Sequence, residues 1–314
     1  MYKALIIGCG NIGAMYDFDT ESILTYAKAF HIDPEIIFEV YDIDPNLSRK
    51  VAERYGVRSL DELNPETCKD YDIAAICTPT FTHYEYLSKM LVQGPKLVIC
   101  EKPVDIDCAR LEMTRGLYQK SDSKVMVNFY RRFQPGIIQL KKEIADLFAE
   151  ERCTNIVVTY QRGFHNNASH AIDLLEYLFG SILDLSEAQI NHKAYDEFDT
   201  DPTMNVSCVW NGANVQFNGL AHAEFSHFEV AIYFASKAVL LKDGSNEIEF
   251  LSTTAKSGKF YPKLNLQSRR TGVIENYMVN VVSHAKRMLQ GEEPTSNFLE
   301  SVSISQRILQ LQGK

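Results

Sequence analysis

Residues 8–13, Gly8-Cys9-Gly10-Asn11-Ile12-Gly13, have the spacing G-x-G-x-x-G. They follow an apolar run, Lys3-Ala-Leu-Ile-Ile7, that reads as a buried strand, and they open a helical stretch. In that setting Gly8 permits a tight turn, Gly10 lets the backbone approach a pyrophosphate, and Gly13 lets helix and strand pack closely. The helix N-terminus, at Asn11 and Ile12, offers N–H groups to phosphate oxygens. Asp42 ends the second strand, where a carboxylate can accept from ribose hydroxyls. It stands 29 residues after Gly13 (42 − 13), against a usual spacing of ~20, and an insertion around residues 16–21 accounts for the excess. Its charge repels a 2′-phosphate and no Arg follows it, so the expected cofactor is NAD rather than NADP. An aspartate before Asp44-Pro45 can also simply cap the next turn.

Two later loops carry polar groups at strand ends, where open α/β sheets bind ligands. Thr78-Pro79 and His83 follow the third strand, and Glu101-Lys102-Pro103 follows the fourth. Oxidising a secondary alcohol requires a base within hydrogen-bond reach of its O–H as hydride leaves the carbon. Lys102 is one candidate. His170 is another, because imidazole titrates near neutrality, and Asp173 lies one helical turn further on to orient it. A helix-terminal histidine satisfied by backbone is the plainer alternative. A His165/His170 metal pair lacks a convincing third ligand, so no metal is expected.

The elements that must hold these residues alternate over the first 130 positions. Ile36–Tyr41, Asp72–Cys77, Leu97–Cys100 and Val125–Asn128 read as strands, and 47–55, 82–92, 105–120 and about 136–149 as helices. Strands alternating with helices imply right-handed crossovers and a parallel sheet. The pattern then changes, with strand-like runs at 154–161, 184–192, 204–210, 213–220, 226–235 and 238–241. Asn211-Gly212 between two of them is a hairpin signal. The last 40 residues return to helical spacing, with 291–294 separating two helices. The expected class is α/β: an N-terminal doubly wound Rossmann domain (1–122) and a C-terminal α+β domain (123–314) with an open, mainly antiparallel sheet.

The chain has 314 residues, 45% hydrophobic and 23% charged, with a net charge of −9. That composition suits soluble globular domains and disfavours disorder. Basic residues cluster only in pairs, such as Arg131-Arg132, so no nucleic-acid partner is expected. No apolar run reaches the roughly 18 residues of a membrane span, and no membrane partner is expected. Seven cysteines without a C-x-x-C pair suit a reducing cytoplasm.

Taken together, the Gly8–Gly13 loop, Asp42, Thr78-Pro79…His83, Glu101-Lys102-Pro103, residues 128–135 (Asn128-Phe-Tyr-Arg-Arg-Phe-Gln-Pro135) and 163–175 resemble the glucose–fructose oxidoreductase / inositol dehydrogenase (Gfo/Idh/MocA) family over essentially the whole chain. The resemblance implies an NAD(P)-dependent oxidoreductase acting on a hydroxyl or keto carbon of a sugar, cyclitol or nucleotide sugar. It places the catalytic lysine at Lys102 and the catalytic histidine at His170, and implies a cofactor site at Gly8, Gly10, Asn11, Ile12, Gly13, Asp42, Thr78, Pro79, His83, Glu101 and Lys102. Substrate contacts are expected from Asn128, Arg131, Asn166, Asn167 and Asp173. Many members have an aspartate where this chain has Asn166, which cannot act as a base. That departure keeps open a dinucleotide-binding sensor without catalysis; a separate enzymatic alternative is redox-neutral glycoside chemistry, with bound NAD oxidising and then re-reducing the same sugar. Relatives associate through the open sheet, so a homodimer or dimer of dimers is expected, with Val206, Val215, Phe217 and Phe228 on the face that needs a partner.

Overall fold

The N-terminal apolar run forms β1 (Tyr2–Ile7), and its residues Ala4 to Ile7 are fully buried, as a central strand covered on both faces must be. The computed structural model describes residues 1–64, 68–253, 261–292 and 296–313. Around β1 lie β2 (Ile36–Tyr41), β3 (Arg58–Ser59), β4 (Ile73–Ile76), β5 (Leu97–Cys100) and β6 (Lys124–Val127). Their order is β3-β2-β1-β4-β5-β6, and every described pair is parallel. The order reverses between β1 and β4, the position at which such sheets open a crevice for ligands.

Three helices of this unit, those after β2, β4 and β5, follow the sequence pattern, and one at residues 26–32 does not. In chain order they are α1 (Tyr26–Ile32), α2 (Pro45–Tyr55), α3 (His83–Gln93) and α4 (Cys108–Tyr118). Asp44 caps α2 with Pro45 at its first position, and Gly56 closes it in the left-handed region at φ +68°. The stretch after the glycine loop departs from expectation. It is a five-residue π-type turn, Asn11–Met15, and α1 begins only at Tyr26. The buried carboxylate of Asp17 organises the segment between them. It accepts from the backbone N–H of Thr25 at 2.9 Å and from the Thr25 hydroxyl at 2.7 Å, while Thr25 caps α1.

The division of the chain also differs from the expected 1–122 and 123–314. One compact unit comprises 1–133 with 276–306, and the other 134–275 with 307–314. Strand β6 belongs to the parallel sheet because it pairs with β5. Helix α7 (Tyr277–Gln290) returns to the first unit, burying Met278, Val281, Val282, Ala285 and Met288 in its core. The junction expected at 291–294 runs into residues 293–295, outside the described residues.

The second unit contains α5 (Pro135–Glu150), α6 (Ser169–Phe179) and eight strands. These are β7 (Cys153–Tyr160), β8 (Gln189–Ala194), β9 (Thr203–Trp210), β10 (Ala213–Gly219), β11 (Phe228–Phe234), β12 (Lys237–Lys242), β13 (Glu247–Thr253) and β14 (Leu264–Arg270). The order is β14-β13-β12-β11-β7-β10-β9-β8, antiparallel except between β7 and β10. The final helix, α8 (Phe298–Gln312), contributes residues to both units. The Asn211-Gly212 hairpin is present, with φ of +50° and +79° as a type I′ turn demands.

Val206, Val215, Phe217 and Phe228 are not on an open face. All four are buried in the core of the unit, and they alternate along their strands with residues such as Asn214 and Gln216 that are exposed. A one-residue error in reading the alternation exchanges the faces of a strand. No helix among the described residues is long and apolar enough to cross a membrane.

Candidate active site

The glycine loop is shaped by two close approaches. Gly8 has φ +97°, and a Cβ there would lie 2.9 Å from the Thr78 backbone nitrogen. A Cβ on Gly13 would lie 2.1 Å from the Gly8 carbonyl oxygen. Gly10 is different, because a Cβ on it meets nothing within 4 Å. The fold itself demands Gly8 and Gly13, whereas Gly10 leaves open the space that a ligand backbone would use. The Asp42 carboxylate does two things at once. Its Oδ2 accepts the Cys9 N–H at 2.6 Å, which tethers the glycine loop, and its Oδ1 accepts the Asp44 N–H at 2.9 Å, which caps the following turn. Gly8, Gly10, Tyr41, Asp42, Thr78 and Pro79 line a cleft of about 120 Å³. An open glycine, a flanking carboxylate and a turn N-terminus are a donor and acceptor set that fits a dinucleotide.

At the end of β5 the two neighbours of Lys102 are held from opposite sides. Glu101 Oε1 accepts from the Tyr26 hydroxyl at 2.9 Å and from Asn128 Nδ2 at 2.7 Å. Burial raises the Glu101 carboxyl pKa, against the pull of these donors and of the Lys102 charge. Asn128 itself is buried, and its Oδ1 has no hydrogen-bond partner among the described residues. Pro103 follows Lys102 through a cis peptide bond. The Pro103 carbonyl oxygen is 2.9 Å from His83 Nδ1, and His83 Nε2 is 2.8 Å from the Thr78 carbonyl oxygen. His83 is 1% exposed. Its ring therefore holds backbone rather than presenting a nitrogen to a cofactor, which corrects its expected role. Arg131 is also buried, with its guanidinium 4.7 Å from the Tyr130 ring centre.

In the second unit the turn before His170 is built on a residue that no local motif marks. Asp201 Oδ1 accepts the His165 N–H at 2.8 Å, and its Oδ2 accepts the Asn166 N–H at 2.7 Å. Gly163 must be glycine here: its φ is +80°, and a Cβ would lie 2.2 Å from Asp201 Oδ2. The Asn166 and Asn167 side chains donate to the carbonyls of Arg162 (3.1 Å) and Gln161 (2.7 Å), bracing the same turn. His170 and Asp173 both lie on α6, and both are buried. The first unit thus brings together Gly8, Gly10, Asp42, Thr78 and Pro79. The second places Asn166, Asn167, His170 and Asp173 on one turn and the helix it opens. Sequence reasoning missed Tyr26 and Asp201, because each acts on residues remote in the chain, and Asp17, because its bonds to Thr25 eight residues on match no short motif. Among the described residues no group of three or more His, Cys, Asp or Glu side chains is arranged to hold a metal ion.

Residues 2–129 match the model of the Gfo/Idh/MocA group, described as an oxidoreductase family with an NAD-binding Rossmann fold. The chain is 32% identical over 143 residues to an inositol 2-dehydrogenase of Rhizobium meliloti; the match spans 45% of this chain and 40% of that relative, so about two fifths of the relative's length is covered. Two solved structures share the fold across both units. GenD2 from gentamicin A biosynthesis, solved with NAD, aligns over 98% of this chain and 92% of its own at a TM-score of 0.73 and 16% identity. KijD10, a 3-ketoreductase from Actinomadura kijaniata solved with NADP and TDP-benzene, aligns over 99% and 96% at 0.71 and 14% identity.

Proposed function

We propose, because residues 2–129 match the model of the Gfo/Idh/MocA oxidoreductase family, that the chain is an NAD-dependent dehydrogenase or reductase acting on a hydroxyl or keto carbon of a sugar or cyclitol. The observation that carries this reading is the open side of Gly10 beside the tethered Asp42 carboxylate, in one cleft with Thr78 and Pro79. Gly8, Gly10, Asn11, Ile12, Gly13, Asp42, Thr78 and Pro79 hold the cofactor. A nicotinamide held by these residues would supply hydride-transfer chemistry at the alcohol or ketone carbon. Lys102 and His170 share the proton work: one takes the proton of the alcohol O–H as the carbon loses hydride, and returns it in the reverse direction. Asp173 holds the imidazole, and Asn166 and Asn167 keep its approach turn in shape while Asn128 and Arg131 support the substrate. Asn166 cannot exchange a proton, so the base role stays with Lys102 and His170.

NAD is favoured over NADP by the Asp42 charge. We further propose a cytoplasmic homodimer or dimer of dimers, joined through the face of the second sheet that carries Asn155, Val157, Thr159 and Gln216. Two measurements test the reading. Fluorescence titration with NADH should show saturable binding. Incubation with NAD and a panel of inositols and aldoses should give NADH absorbance with at least one of them. Binding without turnover on any polyol, sugar or nucleotide sugar would favour a sensor instead.

A further inference from the structure

Lys102 is flanked by two fixed points. On one side Glu101 is anchored by Tyr26 and Asn128. On the other, the Pro103 carbonyl meets His83 Nδ1 at 2.9 Å. The second ring nitrogen of His83 meets the Thr78 carbonyl at 2.8 Å, in a loop braced from within by Thr82, whose hydroxyl donates to the Pro79 carbonyl at 2.7 Å. One buried imidazole thus bridges the loop after β4 and the loop after β5. Filling space alone would suit a leucine or phenylalanine; a buried polar ring is tolerated where its nitrogens find partners.

We propose that His83 is a positioning residue for Lys102: it ties the lysine's loop to the Thr78–Thr82 loop and so fixes where the amino group stands, without itself touching cofactor or substrate. This rests on the reading of Lys102 as an acid/base group. A neutral imidazole has a single N–H, so it donates to one carbonyl at a time, and only the doubly protonated ring donates to both. Burial lowers the His83 pKa, with the Lys102 charge pushing the same way against the pull of the Thr78, Pro103 and Val104 backbone. The neutral ring is the working form at neutral pH. The bond that matters for Lys102 is the one to Pro103.

Two amide substitutions separate the two contacts. In His83→Asn the amide nitrogen falls close to the position of Nδ1 and can keep the Pro103 bond. In His83→Gln it falls close to Nε2 and can keep only the Thr78 bond. Misplacing a reacting group by about 1 Å can cost on the order of 10²-fold. His83→Gln and His83→Ala should therefore lower kcat at least about tenfold, while His83→Asn stays within about threefold of wild type. NADH affinity and KM should change little in all three, and the Asn and Gln variants should melt at similar temperatures. A second readout needs neither cofactor nor substrate: the rate at which an N-hydroxysuccinimide ester acylates Lys102 in the cofactor-free protein, followed by peptide mass spectrometry. Gln and Ala should raise that rate by releasing the loop, and Asn should not. If the Asn and Gln variants behave alike in both kcat and Lys102 acylation, the proposal is overturned. If acylation separates them but wild type turns over no polyol or sugar, His83 does position Lys102 and it is the catalytic reading of Lys102 that fails.

Discussion

Asp201 accepts the backbone N–H of His165 at 2.8 Å, and that of Asn166 at 2.7 Å, from 36 and 35 residues further along the chain. One carboxylate thus caps the turn that delivers His170. Removing a capping acceptor costs ~0.5–2 kcal/mol, and leaving a buried N–H unpaired costs ~1–3 kcal/mol. Asp201→Ala should therefore lose about 1–3 kcal/mol in urea unfolding, and turnover should fall with it. Asp201→Asn keeps one acceptor oxygen and should recover part of the loss. An Ala variant as stable as wild type would show that the turn holds itself.

The glycine loop separates a folding requirement from a binding one. In Gly13→Ala the new Cβ would lie 2.1 Å from the Gly8 carbonyl oxygen, so backbone must shift. Overpacking of this kind typically costs ~1–3 kcal/mol, visible as a lowered melting temperature. Gly10→Ala meets nothing within 4 Å and has φ −69°, so it should melt like wild type. Its methyl group nevertheless fills the open side of the loop, and NADH affinity should drop at least about tenfold, or ~1.4 kcal/mol. Unchanged NADH binding by Gly10→Ala would remove the loop from the cofactor site.

Asp42 should discriminate between the two dinucleotides. Calorimetry is expected to give at least about tenfold tighter binding of NADH than of NADPH, corresponding to ~1.4 kcal/mol. Asp42→Ala should narrow that ratio. It should also loosen the glycine loop, because the Cys9 N–H loses its acceptor. Equal affinities in the wild type would contradict the charge argument.

Glu101 gives a pH dependence with a definite sign. Burial raises its carboxyl pKa in the folded protein, so the folded state holds the proton to higher pH than the unfolded chain does. Between the ordinary carboxyl pKa and the raised one, stability falls as pH increases. Glu101→Gln still offers Tyr26 and Asn128 an acceptor oxygen and removes the charge. The variant should be more stable than wild type at pH 8, with the gap closing towards pH 4. Thermal melts that run parallel across this range would show that Glu101 carries no such cost.

The parallel sheet and its ligand loops are legible because five of its six strands are short apolar runs ended by glycine or a polar turn, the polar Arg58–Ser59 edge strand being the exception, and Asn211-Gly212 marks its hairpin. The helix after the glycine loop was misread, since Asp17 acts through Thr25 and breaks the expected continuity at residues 16–25. Strands β13 and β14 were missed altogether. Leu264–Arg270 is mostly exposed and polar, and pairing with β13 rather than burial makes it a strand. The second unit's two faces were exchanged at Val215 and Phe217, and α7 went to the wrong unit because spacing alone does not say which core a helix joins. Candidate site residues were legible where types cluster locally, as at Glu101-Lys102-Pro103. Their supports Tyr26 and Asp201 were not, since hydrogen bonds across 75 and 35 residues leave no local pattern.

The proton-transfer assignment is decided by paired substitutions. Lys102→Met removes the charge and the donors while keeping much of the stem volume, and His170→Ala removes the imidazole. General acid–base groups contribute ~10²–10⁴-fold, so each single variant should lose kcat by about that factor while NADH affinity changes little. The double variant should lose less than the product of the two, because residues serving one proton path are not independent. Turnover on a substrate found in the polyol and sugar panel, beside NADH fluorescence titration, supplies both numbers. A single variant that keeps more than roughly half of wild-type turnover identifies a residue that is not the acid/base group. If both keep it, Asn166, which cannot exchange a proton, belongs to a protein that binds the dinucleotide without turning over a sugar or polyol, and NADH binding with no turnover becomes its expected behaviour.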